Sequence, residues 1–214
     1  MSTPISNIIM PVYEEVIRNN PLPENQNQYS QHIVTVMTEC ESEARRQFRN
    51  LSQNQLGRCN GDWFELIVRD TATNVVGNDN LMVFPGRGHH INEIQGFEQV
   101  NWIPQPDVIG RNLQDFRAVV SLKWGMRHDR MYEVGYEAYA IKDWVLRNNL
   151  PEVQVYLLTN DEFSGRDARL NIMSQVPALD GVFHIQHNNL TNELQQVIGS
   201  YPDLLNHLTN TLSN

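Results

Sequence analysis

The 214-residue chain lacks any apolar run long enough to cross a bilayer. Its longest, RAVVSL and VYLL, fall far short of the roughly 20 residues a spanning helix needs, so no membrane anchor is expected. The N-terminal MSTPISNIIM has no basic n-region, and no secretory signal is expected there. Cysteine is scarce. Cys40 and Cys59 define no metal site and read as reduced thiols of a cytoplasmic protein. Cationic charge is also in deficit: 16 Lys and Arg face 25 Asp and Glu, for a net charge of −9. That balance argues against a general polyanion binder, but it leaves room for a local cationic site. Internal repeats and low-complexity linkers are absent as well. An apolar content of 40% excludes a disordered chain, and the length suits a single domain with a real core.

Hydrophobic periodicity divides the chain into a helical part over about residues 1–100, an alternating part over about 101–190 and a closing helix over 190–212. The first part predicts a short helix over Met10 to Arg18 and a second over His32 to Asn50. A third is expected over Gly61 to Arg69, capped by Asn60. PGRGHH, Pro85 to His90, reads as a turn or loop, and its two histidines have no partner at zinc-ligand spacing. The alternating part predicts strands at Asp107 to Ile109, Arg117 to Trp124, Val153 to Thr159 and Val182 to Ile185. Helices are expected over Asp129 to Arg147 and Arg166 to Gln175. Strands interleaved with helices imply an α/β fold, a mixed sheet covered by helices.

The most informative stretch is Val119 to Glu137, VVSLKWGMRHDRMYEVGYE. Alternation along a strand puts Ala118, Val120, Leu122 and Trp124 on an apolar face, and Val119, Ser121 and Lys123 on the other. A hairpin with the preceding strand would bring Asp107, of the pair Pro106-Asp107, to Lys123; Asp115 is the second candidate acid. On the following helix, Glu133, Glu137, Ala140, Ile141 and Trp144 form one stripe, which turns Glu137 toward the sheet. Two carboxylates suit Mg²⁺, a hard cation that keeps waters and takes a phosphate oxygen. A nearby ammonium can orient a water or offset charge on phosphorus. Phosphodiester hydrolysis needs this combination.

Pro-Asp followed by x-x-Lys on a strand resembles the PD-(D/E)xK nuclease superfamily. The usual acid two residues before the lysine is Ser121 here. One branch shares that departure, with SxK on the strand and the displaced glutamate on the next helix, and Glu137 stands fourteen residues after Lys123. That branch comprises type II restriction endonucleases cutting CCGG or CC-N-GG sites. The resemblance covers roughly residues 102–186. It implies a restriction-endonuclease-like fold, Mg²⁺ held by Asp107 and Glu137, and catalytic roles for Lys123 and Ser121. Glu65, in NGDWFE, is the candidate for an assisting upstream glutamate. The interval from Asp107 to Lys123 is shorter than the branch usually has.

The same resemblance makes Arg127, Asp129 and Arg130 the readers of G·C pairs. Chemistry agrees, because arginine pairs bidentately with guanine and aspartate accepts from cytosine N4. Arg166 and Arg169, in the loop DEFSGRDAR, are candidates for outer base pairs. A palindromic site implies a homodimer on double-stranded DNA, with a tetramer open. A prokaryotic cytoplasmic setting and a cognate DNA methyltransferase as genetic partner are also implied. Singly, each residue has a plainer reading: a turn, a solvated strand end, a helix-surface acid, a helix cap. Their joint spacing favours a site-specific deoxyribonuclease leaving 5′-phosphates. The alternatives are a repair or junction-resolving nuclease of the same superfamily, or a catalytically inactive sequence-specific DNA-binding protein. Trp63, Phe64, Trp102 and Trp144 are expected in the core, and Tyr132, Tyr136 and Tyr139 on a core or dimer surface.

Overall fold

A computed structural model describes residues 5–77, 81–83, 107–112 and 115–213. PGRGHH with His89 and His90, Trp102 and Pro106 lie outside the described residues. The chain opens with three helices, α1 (Ser6–Asn19), α2 (Tyr29–Gln47) and α3 (Gln53–Val76). The sheet follows: β1 (Leu81–Val83), β2 (Val108–Asn112), β3 (Asp115–Lys123), then α4 (His128–Arg147), β4 (Gln154–Thr159), α5 (Arg166–Ser174) and β5 (Gly181–His184). It closes with α6 (Asn192–Gln195), β6 (Gly199–Ser200) and α7 (Tyr201–Ser213). The six strands lie side by side in chain order. β1, β2 and β3 run antiparallel to their neighbours, and β3 through β6 run parallel. This is the mixed sheet flanked by helices that the alternation predicted.

Three expected boundaries are corrected. α1 begins before Met10 and carries Pro11 inside it, because burial of Ile8, Val12, Tyr13 and Val16 along one stripe outweighs the single hydrogen bond a proline removes. α3 spans 24 residues rather than the nine-residue core seen in the sequence. Its start is a reciprocal capping box between Ser52 and Gln55, and Asn60 sits inside the helix. Gly57 and Gly61 obscured it: each costs helix propensity, but Leu56, Cys59, Trp63, Phe64, Leu66 and Ile67 are all buried and hold the helix against the sheet. The single closing helix over 190–212 is instead α6, β6 and α7. Gly199 breaks it, since a Cβ there would stand 2.5 Å from the Phe183 ring, and Pro202 starts a new helix behind it.

Both sheet faces are buried, not one. Ala118, Val120 and Leu122 pack with Tyr156, Leu158 and Phe183 beneath α1, α2, α3 and α7, with Trp124 at the edge. Val119 belongs to a second core with Ile109, Val155, Ala138, Ile141 and Val145 under α4. Leu157 and Val182 join a third with Met126, Met131, Val134, Leu170 and Met173. A strand buried on both faces by helices reads as a continuous apolar run. RAVVSL is one, so alternation along it did not mark a solvent face. The buried stripe of α4 is accordingly Met131, Val134, Ala138, Ile141 and Val145, and Glu137 borders it rather than lying at its centre. Trp63 and Phe64 are core residues as expected, and Trp144 is half-buried. Tyr132, Tyr136 and Tyr139 are not: they face outward from α4, 79%, 61% and 51% exposed. Among the described residues, no helix is long and apolar enough to cross a membrane.

Candidate active site

The antiparallel β2–β3 pair sets Val108 opposite Val120, which delivers Asp107 to the C-terminal half of β3. Asp107 is buried. Its Oδ2 accepts the Leu122 backbone N–H at 2.6 Å and faces Lys123 Nζ at 3.3 Å. Asp115 starts β3 at the far end from Lys123. At roughly 3.3 Å per residue that is on the order of 25 Å away, so the hairpin selects Asp107. Ser121 is buried on the same face as Lys123, and its Oγ donates to Glu137 Oε2 at 3.5 Å, a long hydrogen bond. The short interval from Asp107 to Lys123 is therefore no obstacle. A tight hairpin brings Asp107, Ser121, Lys123 and Glu137 together.

Electrostatics tie the four into one unit. Burial alone would pull the Lys123 ammonium down, but Asp107, Glu137 and Glu133 outweigh it, and its pKa lies above the ordinary lysine value. Lys123 is thus a charged donor in the cation-free chain. Burial pushes the Glu137 carboxyl up to about 7, with the Asp107 and Glu133 charges adding to it and Lys123 and Ser121 opposing. Glu133 is a residue the sequence reading placed on the helix stripe without a role. It sits one turn before Glu137, a spacing that brings side chains onto one helix face.

A pH dependence follows from Glu137. Its folded-state pKa lies above the unfolded value near 4.5, so the folded chain binds more protons in between. Stability from this group is fully present below about pH 4.5 and is lost as pH rises through about 7. Urea unfolding with EDTA should show a loss on the order of 2 kcal/mol across that window, and Glu137→Gln should flatten it.

Arg127 immediately precedes α4, and Arg127, Asp129 and Arg130 all stand exposed at its N-terminus. Arg127 pairs with Asp129 at 2.9 Å, and Arg130 pairs with Glu133. A short turn, Trp124 to Met126, separates them from Lys123. Gly125 in that turn admits the Phe163 ring, which an added Cβ would meet at 2.5 Å. Glu65 is half-buried on α3, next to Phe64, whose ring meets Trp124 edge-on at 5.3 Å.

The two arginines of the DEFSGRDAR loop do not point outward as readers would. Arg169 is buried, and its guanidinium is fully engaged. Nε donates to Asp161 at 2.7 Å, Nη1 to the Ser164 carbonyl at 2.9 Å and Nη2 to the Phe163 carbonyl at 3.1 Å. It holds the loop together, with all three guanidinium nitrogens donating within it. Arg166 pairs with Asp167 at 2.8 Å and donates to the Asn189 carbonyl at 3.2 Å, with its side chain 22% exposed.

The donor set suits a hard divalent cation. Asp107 and Glu137 offer carboxylate oxygens, and among the described residues no cysteine or histidine groups with them. Among the described residues no three acidic, histidine or cysteine side chains converge as a closed metal cage. Mg²⁺ does not need one, since it commonly uses one or two carboxylates plus water and substrate phosphate.

No protein-family model matches the chain, and no curated protein matches it in sequence. Among solved structures, the chain is similar to the type IIF restriction endonuclease Bse634I, crystallised with cognate DNA. The identity is 12% and the TM-score 0.48, over 97% of this chain and 92% of that one. The side chains, not this likeness, carry the functional conclusion.

Proposed function

We propose that the protein is a Mg²⁺-dependent type II restriction endonuclease. It would hydrolyse double-stranded DNA at a palindromic site containing CCGG and leave 5′-phosphates. The observation that carries this reading is the juxtaposition of Asp107, Lys123, Ser121 and Glu137, with the Arg127–Arg130 cluster one turn away on the same chain segment. The mixed sheet with β3 near its middle agrees with the restriction-endonuclease-like architecture implied by the SxK motif.

Asp107 and Glu137 would hold the cation, which polarises the scissile phosphate and lowers the pKa of an attacking water. Lys123, kept charged by its carboxylate neighbours, offsets negative charge developing on phosphorus and orients the water. Ser121 fixes the direction of the Glu137 carboxylate. Glu65 is the candidate assisting acid. Arg127, Asp129 and Arg130 read G·C pairs, and Asp129 and Glu133 pre-set the two guanidinium groups. A helix N-terminus also favours the approach of a phosphate. Two copies of this single domain would act on the palindrome, with the outward tyrosines of α4 beside the readers as an apolar contact surface.

Sequencing the ends of Mg²⁺-digested plasmid DNA tests the assignment. Discrete ends within CCGG-containing palindromes are expected. Structure-dependent nicking without sequence preference would favour a junction-resolving enzyme instead. Specific gel shifts in Ca²⁺ without cutting in Mg²⁺ would indicate a binding protein. Arg127→Ala should lower discrimination at one base pair by about 1–3 kcal/mol, measured by competition binding in Ca²⁺.

A further inference from the structure

The parallel register of β3, β4 and β5 aligns Lys123 with Thr159, and Thr159 with His184. Residues in register on adjacent strands share a sheet face, about 5 Å apart. Lys123, Thr159 and His184 therefore form one row on the α4 side, at the C-terminal ends of three parallel strands. Open α/β sheets present ligand sites at that edge.

Two members of this row carry unmet hydrogen-bonding capacity. Thr159 is 0% exposed, and its Oγ1 has no partner among the described residues. His184 is likewise 0% exposed. Its Nε2 lies 3.2 Å from the Asp161 carbonyl, and its Nδ1 has no hydrogen-bond partner among the described residues. A buried orphan hydroxyl costs stability. Valine has the same shape and strand preference without that cost, so packing alone would favour valine at position 159.

We propose that the Thr159 hydroxyl is a positioning group for Lys123. In the cation-free chain, Asp107 Oδ2 serves both Lys123 and the Leu122 N–H. When Asp107 gives its lone pairs to a cation, Lys123 needs another acceptor to stay aimed at the phosphate. Thr159 supplies it from the adjacent place in the row, with its hydroxyl oxygen accepting from the ammonium. This rests on the nuclease reading.

Thr159→Val and Thr159→Ser test it, with cleavage kinetics in Mg²⁺ and thermal unfolding in EDTA. Thr159→Val should lower kcat roughly 10- to 100-fold with KM for DNA unchanged, while its melting temperature equals or exceeds that of the wild type. Thr159→Ser should restore most of the rate. A Thr159→Val chain that cuts at the wild-type rate overturns the proposal. So does one that melts lower in proportion to its lost activity, which would mark the hydroxyl as structural, or a Thr159→Ser chain as slow as the valine variant. If the wild type itself fails to cut, the nuclease reading falls and takes this inference with it. A cutting wild type beside an unaffected valine variant tells against Thr159 alone.

Discussion

Lys123→Met is expected to lower the cleavage rate by at least about 10²–10³-fold while leaving sequence-specific binding in Ca²⁺ within a few-fold of wild type. Methionine keeps most of the stem volume in the gap between β3 and α4 and removes only the charge. The ammonium sits 3.3 Å from Asp107 and is held charged by three carboxylates, so its loss deletes the cation proposed to serve the transition state. The proposed readers Arg127 and Arg130 stand beyond the Trp124–Met126 turn and keep their own carboxylate partners, so affinity should survive. Single-turnover cleavage and gel shift on the same protein preparation separate the two effects. A variant that loses both equally would mean that Lys123 serves binding rather than chemistry.

Arg169→Met carries the largest expected effect on stability, about 3–5 kcal/mol by urea unfolding. Asp161 is 0% exposed, and the Arg169 guanidinium meets it at 2.7 Å. Truncating the arginine leaves that carboxylate buried without a counter-ion and strips the Ser164 and Phe163 carbonyls of their donors. Replacing both partners, as Arg169→Met with Asp161→Leu, should recover part of the loss, because an apolar pair needs no desolvation of charge. Activity should fall as well. The clamp holds Phe163 over Gly125, in the turn that fixes the distance from Lys123 to the readers. An Arg169→Met chain as stable as wild type would return this residue to the set of candidate base contacts.

The site was more legible in the sequence than the scaffold around it. Asp107, Ser121, Lys123 and Glu137 sit on elements whose period is short and whose spacing a hairpin and one helix suffice to close, so local rules locate them. The reader cluster was visible for the same reason: a helix start is a local event. Thr159 was not, because its alignment with Lys123 depends on a parallel pairing across a helical crossover, and nothing local encodes that register. The burial of Arg169 was hidden on similar grounds. An arginine in a polar loop looks exposed until the fold buries its partner Asp161. Helix α3 was cut short because Gly57 and Gly61 lower propensity that burial of Trp63 and Phe64 restores. Cover on both sheet faces was legible from the interleaved helices, whereas alternation along the third strand carried no such signal, because a strand buried on both sides is apolar throughout.

The most direct test is Mg²⁺-started digestion of a mixed-sequence plasmid by the wild type, Asp107→Asn and Glu137→Gln, each with an EDTA control. The account predicts discrete fragments from the wild type in Mg²⁺ only, and intact plasmid from both variants. An intact plasmid with the wild type, or fragments from either variant at the wild-type rate, would contradict it.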